Sequence, residues 1–161
     1  MTPRRTWDPM DAIRFGIQLE SDAVAAYQAA RDKAVTPACR ELYETLVQFE
    51  EGHLTYLTSL LDELEGSGSW IAYQRVRGKG GVKWSSRTEH VLLPDVTERA
   101  LREEHATLAA AIEAEQKAYD FYKKSAEEAQ DPAGHASFQF LAQEEEDHAR
   151  WLRRVLEGLP D

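Results

Sequence analysis

The 161-residue chain has 29 acidic and 19 basic side chains, and its formal net charge of −10 argues against nucleic acid or an anionic membrane surface as a partner. Its single cysteine, Cys39, excludes an internal disulfide and an all-cysteine metal site. The N-terminus lacks the apolar core of a signal peptide, and no apolar run approaches a membrane span, so we expect one cytoplasmic domain over residues 1–161.

The first helical hairpin is predicted over about residues 8–65. Asp8 and Thr36 each precede a proline, which is typical of an N-cap followed by the first helical position. The first helix is predicted to end near Val35 and the second at Gly66, which suits a helix C-terminus. One face of each helix carries residues spaced by three and four: Ile13, Ile17, Glu20, Ala23 and Tyr27 in the first, and Leu42, Leu46, Phe49, Glu50, His53, Leu57, Leu61 and Leu64 in the second.

A long connection is predicted over residues 66–94, where glycine, serine and basic residues concentrate. Trp70 and Trp84 are expected to anchor it by packing, and His90 is expected to be a loop histidine. Five basic residues form either solvated loop charge or a docking patch for an acidic redox partner: Arg75, Arg77, Lys79, Lys83 and Arg87.

The second hairpin is predicted over about residues 95–158. Asp95 with Glu98 resembles a capping box, and Asp131 precedes a proline as the N-cap of the last helix. The inward faces are predicted to carry Leu101, Leu108, Ile112, Glu115, Tyr119 and Tyr122, up to about Ala129, and then Phe138, Leu141, Glu145, His148, Leu152 and Leu156, up to Gly158. Short loops within the pairs and a long crossover between them predict an all-α four-helix bundle.

The two hairpins are copies of one another at an offset of 95 residues. Without a gap, residues 12–66 align with residues 107–161, and 15 of the 55 pairs are identical. The identities include residues that helical composition alone would not match in register: Glu20 with Glu115, Tyr27 with Tyr122, Pro37 with Pro132, Glu50 with Glu145, and His53 with His148. Two repeated hairpins related by a pseudo-two-fold axis are therefore predicted.

The repeat distinguishes the acids of the run 144–147. Phe49 and Gly52 replace Glu144 and Asp147 in the first copy, so neither of those places requires an acid. Glu146 has an acidic counterpart but lies about 100° around the helix from its neighbour Glu145. The repeated inward pattern is Glu-x-x-His, which directs a carboxylate and an imidazole to one point.

Four glutamates and two histidines are therefore expected to be buried without a basic partner, which is costly unless cations compensate the charge. Two divalent ions would neutralise four carboxylates, and oxygen and imidazole ligands suit iron or manganese better than a closed zinc site. We expect one ion to be held by Glu20, Glu50 and His53 and the other by Glu115, Glu145 and His148, with Glu50 and Glu145 as bridges. Tyr27 and Tyr122 either donate hydrogen bonds to ligand carboxylates or are ordinary core tyrosines.

These motifs resemble the ferritin-like di-iron carboxylate superfamily, and within it the rubrerythrin group. The segments that carry the resemblance are "GIQLESDAVAAYQAA", "FEEGH", "AIEAEQKAYDFYKKSAEEA" and "EEEDH". Two features differ from rubrerythrins proper. Rubrerythrins proper have an appended rubredoxin-like domain that needs four cysteines, whereas these 161 residues contain only one. They also have an additional glutamate one turn after the ligand of the third helix, and Ala118 takes its place here.

The resemblance implies a ferritin-like bundle with two iron ions, or with manganese or a mixed pair. It implies an oxidoreductase that reduces hydrogen peroxide or dioxygen in oxidative-stress defence, supplied with electrons by a separate protein such as a rubredoxin. A homodimer is expected, in which the long crossover permits swapping of helix pairs. Ala118 favours an alternative, a ferroxidase that oxidises ferrous iron for storage or buffering. A metal-stabilised bundle without turnover is the third possibility.

Overall fold

The computed structural model describes residues 6–70 and 92–161, which form four helices and no strand. The helices are α1 (Pro9–Asp32), α2 (Pro37–Ser67), α3 (Glu98–Glu128) and α4 (Pro132–Gly158). α1 packs along α2, and α3 packs along α4, as the two short loops predicted. The predicted all-α bundle of two hairpins is confirmed. Of the predicted connection, residues 71–91 lie outside the described part, together with Trp84, His90 and the five basic residues.

Three of the four predicted N-caps are confirmed. The Asp8 carboxylate accepts from the amide of Met10 at 2.7 Å, and the Asp131 carboxylate accepts from that of Ala133 at 2.8 Å. The Thr36 hydroxyl accepts from the amide of Cys39 at 3.0 Å. Each cap satisfies a backbone donor that has no partner within its helix.

The last helix ends at Gly158 as predicted, but three other predicted helix ends need correction. Thr97, not Asp95, caps α3, and its hydroxyl accepts from the Ala100 amide at 3.1 Å. Asp95 instead has a φ of 67° and lies in the turn before the helix. α2 ends at Ser67, and Gly68, not Gly66, caps it, because Gly68 adopts the left-handed conformation that glycine accepts without strain.

The first helix stops at Asp32, three residues before the predicted Val35. The backbone of Val35 is used by distant parts of the chain: its amide donates to the Glu104 carboxylate at 3.2 Å, and its carbonyl accepts from the Leu93 amide at 2.9 Å. These tertiary hydrogen bonds replace the ones that a longer helix would have made.

Two apolar clusters occupy the core, and a polar layer lies between them along every helix. On α1, Glu20 stands between Ile13 of one cluster and Tyr27 of the other. On α4, the segment from Glu145 to His148 stands between Leu141 and Leu152 in the same way. Of the helices in the described ranges, none combines the length and the apolar character that crossing a bilayer requires.

Candidate metal centre

All six residues predicted as metal ligands lie together in this polar layer, and each is at most 4% exposed. Helical spacing explains the convergence, because residues three apart on α2 and on α4 share a face. The six residues form two overlapping groups of potential ligand atoms, and within each group the atoms lie within 4.8 Å of one another. One group is Glu20, Glu50, His53 and Glu145, and the other is Glu50, Glu115, Glu145 and His148. A further group of the same kind combines the two histidines with the partly buried Glu144.

The two carboxylates common to both groups are Glu50 and Glu145, which the sequence predicts as bridges. Glu50 places Oε2 2.9 Å from Nδ1 of His53 and Oε1 3.1 Å from Nδ1 of His148. Glu145 divides its oxygens likewise, with Oε1 3.1 Å from His53 Nδ1 and Oε2 3.3 Å from His148 Nδ1. Each of these carboxylates therefore presents one oxygen to each half of the centre.

The remaining two carboxylates each belong to one half. Glu20 Oε2 lies 3.7 Å from Nδ1 of His53, and Glu115 Oε2 lies 3.7 Å from Nδ1 of His148. Atoms bound about 2.1 Å from one ion lie about 3 Å apart at a right angle and about 4.2 Å apart on opposite sides, and the observed spacings fall in this range, so they fit ligands of a common cation.

Tyr27 and Tyr122 connect the two copies crosswise. The Tyr27 hydroxyl on α1 donates to Glu115 on α3, and the Tyr122 hydroxyl on α3 donates to Glu20 on α1. Both tyrosines are almost fully buried. Gly16 gives Tyr122 the room to approach, because a Cβ atom at this position would lie 3.0 Å from the tyrosine oxygen. Each tyrosine hydroxyl therefore contacts one of the carboxylates predicted as ligands.

Electrostatics in this layer is dominated by burial and by the mutual repulsion of the carboxylates. Burial, together with the charges of Glu20 and Glu115, raises the pKa of Glu50 to about 7. Burial and the neighbouring carboxylates also raise the pKa of Glu145 well above its ordinary value. Burial alone would lower the pKa of His53 and His148, but the surrounding carboxylates outweigh it and raise both.

Glu115 shows the opposite balance. Burial alone would raise its pKa, but hydrogen bonds involving Glu145, His148 and Tyr27 lower it to about 2. Among the described residues, the four carboxylates of this layer form their ion pairs with His53 and His148. The ion pairs that lysine and arginine side chains form in this part of the chain are with acids outside the layer. The donor set therefore fits two divalent cations, which would replace protons as compensating charge.

A cleft between α1 and α3 reaches the polar layer. Its volume is about 490 Å³, and its floor includes Glu20, Glu50, Glu115 and Glu145. Seven alanines line its walls: Ala23, Ala26, Ala30, Ala110, Ala111, Ala114 and Ala118. A small uncharged molecule could pass these short side chains to the carboxylates.

Sequence reasoning missed one buried acid, Glu104, which is 4% exposed and belongs to none of the ligand groups. Its carboxylate accepts from the Tyr43 hydroxyl at 2.8 Å and from the Val35 amide at 3.2 Å. The signal was present, because Glu104 falls on the inward stripe between Leu101 and Leu108. It fixes α3 to the loop that follows α1.

His105 and His135 belong to neither group of the predicted ligands. His105 Nε2 lies 2.6 Å from the carbonyl oxygen of Pro160, and His135 Nδ1 lies 2.7 Å from that of Ala126. Trp70 is half-buried and packs edge-on against Phe138, in agreement with its predicted anchoring role.

Comparison with protein families gives a match over most of the chain. A family model described as Rubrerythrin matches residues 11–156, which include all four helices except their outermost residues. No curated protein and no solved structure gives a significant match.

Proposed function

The chain belongs to the rubrerythrin family, and from this premise we propose that it is a di-iron oxidoreductase that reduces hydrogen peroxide or dioxygen. The family implies a di-metal carboxylate centre, and the buried cluster provides residues suited to one. The division of the Glu50 and Glu145 oxygens between the two histidines is the observation that carries the proposal.

Each group in the cluster has a part in the proposed reaction. Glu20 with His53, and Glu115 with His148, would hold one ion each, and Glu50 and Glu145 would hold both. When bound, the two irons supply two electrons, which with two protons convert one hydrogen peroxide into two waters. The tyrosines keep their carboxylates oriented, and the apolar clusters on either side exclude bulk water.

The alanine-lined cleft supports a small oxidant as the substrate. Besides the four glutamates of its floor, its lining has two charged residues, Asp22 and Lys117, and the alanines between them leave a passage suited to peroxide and dioxygen, which are small and uncharged. We propose that electrons come from a separate protein, since the only cysteine in these 161 residues is the buried Cys39. A homodimer located in the cytoplasm remains our proposal from the family resemblance.

A ferroxidase is the second candidate, and Ala118 favours it. This residue takes the place of the additional glutamate of rubrerythrins proper, and it lines the cleft beside the carboxylates. A centre without that glutamate is more symmetric and resembles one that oxidises ferrous iron.

Stopped-flow mixing of the reduced di-iron protein with peroxide or dioxygen tests the proposal. We expect rapid oxidation by peroxide, followed by re-reduction when an electron-transfer protein such as a rubredoxin is added. Turnover of excess ferrous iron into a retained mineral or a transferred pool would establish the ferroxidase instead. Absence of any redox change in either mixture would refute both, and metal analysis of protein from its native source would distinguish iron from manganese.

A further inference from the structure

The repeat is broken next to the proposed bridging carboxylates. Phe49 precedes Glu50 on α2, and Glu144 precedes Glu145 on α4 at the equivalent place. Each of the two faces the histidine of the other copy: Glu144 Oε2 lies 3.8 Å from Nε2 of His53, while the Phe49 ring packs 5.2 Å from the ring of His148. The two histidines therefore have different surroundings on their outer sides.

These outer sides matter because the Nδ1 atoms already face the carboxylates. A neutral imidazole that binds a cation through Nδ1 carries its hydrogen on Nε2. In the described part of the chain, neither His53 Nε2 nor His148 Nε2 makes a hydrogen bond. Both nitrogens are buried, so the group opposite each one determines whether its hydrogen finds an acceptor.

The residue before the glutamate of each Glu-x-x-His pattern offers an oxygen acceptor to only one of the two Nε2 atoms, that of His53. The Glu144 side chain is 25% exposed, and its Oε2 atom lies 3.8 Å from His53 Nε2, so a small rotation of the side chain would bring the pair to hydrogen-bond length. His148 instead packs against the rings of Phe49 and Trp151, each with its centroid 5.2 Å away. A phenyl ring offers no lone pair, and the indole nitrogen is only a donor.

We propose that Glu144 is a positioning residue that accepts the Nε2 hydrogen bond of His53 and makes the two metal positions unequal. A carboxylate behind a metal-binding histidine fixes its tautomer and ring orientation and increases its strength as a ligand. The position formed by Glu20, Glu50, His53 and Glu145 therefore binds its cation more tightly than the position that includes His148. This inference rests on the proposed metal centre.

Titration of the metal-free full chain with Co²⁺ tests the inference, since visible absorption of bound Co²⁺ reports each binding step. We expect two steps, with the first about 10–100-fold tighter, the range typical of losing such a partner of a metal ligand. Glu144→Phe makes the two copies alike, so it weakens the tighter step by about that factor and brings the steps together. Glu144→Gln keeps an acceptor without the charge and gives an intermediate loss.

Proton NMR of the Co²⁺ protein, labelled with ¹⁵N-histidine, separates positioning from folding. We expect two exchangeable Nε2–H signals, with that of His53 protected from exchange by Glu144. The protection disappears in Glu144→Phe and moves to His148 in the double variant Phe49→Glu with Glu144→Phe. A purely structural role for Glu144 would not transfer it.

The two possible failures are distinguishable. If the unmodified chain binds no Co²⁺, the metal centre itself is refuted, and this inference with it. If the unmodified chain binds two ions but Glu144→Phe and Glu144→Gln keep the same constants and the same protected signal, the inference alone is wrong.

Discussion

Replacing Glu145 with glutamine should abolish the stabilisation that metal ions give to the fold. Glu145 belongs to both groups of potential ligands, so its loss affects both positions. A ligand at 100 times its Kd stabilises by about 2.7 kcal/mol, so two independent ions contribute about 5 kcal/mol. For a chain of this size, this corresponds to a rise in Tm of about 10–20 °C. Without metal the variant should be no less stable, because a buried carboxylate crowded by others becomes neutral.

Thermal unfolding followed by circular dichroism, without oxygen and with and without Fe²⁺, measures the difference directly. Glu146→Gln is the matched control, since its side chain is 47% exposed and its ion pair with Arg150 contributes little. The control should keep the full metal-dependent rise in Tm. If Glu145→Gln keeps it as well, the assignment of Glu145 as a ligand of both ions is refuted.

Three further outcomes are expected. Tyr27→Phe and Tyr122→Phe should each weaken Co²⁺ binding by about 10–100-fold, because each removes the hydrogen bond that orients a carboxylate. Binding constants from calorimetry that equal those of the unmodified chain would contradict this. Glu104→Ala should lower the free energy of unfolding by about 1–3 kcal/mol, because it leaves buried donors unsatisfied, while Co²⁺ binding stays normal. Urea unfolding measures this loss of stability, with the exposed Glu103→Ala as the control. Cys39 should react with a thiol reagent only after unfolding, because burial raises its pKa to about 12, and rapid labelling of the native protein would disprove the buried assignment.

The fold was predictable because local signals and the repeat agree. Proline after an N-cap residue located three helix starts, and the inward stripes identified the core faces. The start of α3 was ambiguous, since Asp95 and Thr97 are both good caps, and only the backbone conformation distinguishes them. The end of α1 was not predictable locally, because Val35 is held by Glu104 and Leu93, which are distant in sequence.

The composition of the centre was predictable, but its connections were not. An offset of 95 residues selects the six residues that the bundle brings together. It does not reveal that each tyrosine contacts the glutamate of the other copy, since this depends on how α1 faces α3. Glu104 was missed for a related reason: its equivalent in the first copy is Pro9, so the repeat could not identify it.

The two copies of the hairpin carry the same residues inside the proposed centre but different residues on the outer side of the two histidines. Inside the proposed centre, two divalent ions would balance the four carboxylates, and loss of any one acid would leave that balance uneven, so the copies retain the same residues. Outside it, Glu144 lies near Nε2 of His53 and Phe49 packs on the ring of His148, so this side of the centre accommodates a carboxylate in one copy and an aromatic ring in the other. Two positions with the same ligands can therefore bind cations with different strength, and an exchange of these two side chains between the copies would exchange the positions' roles.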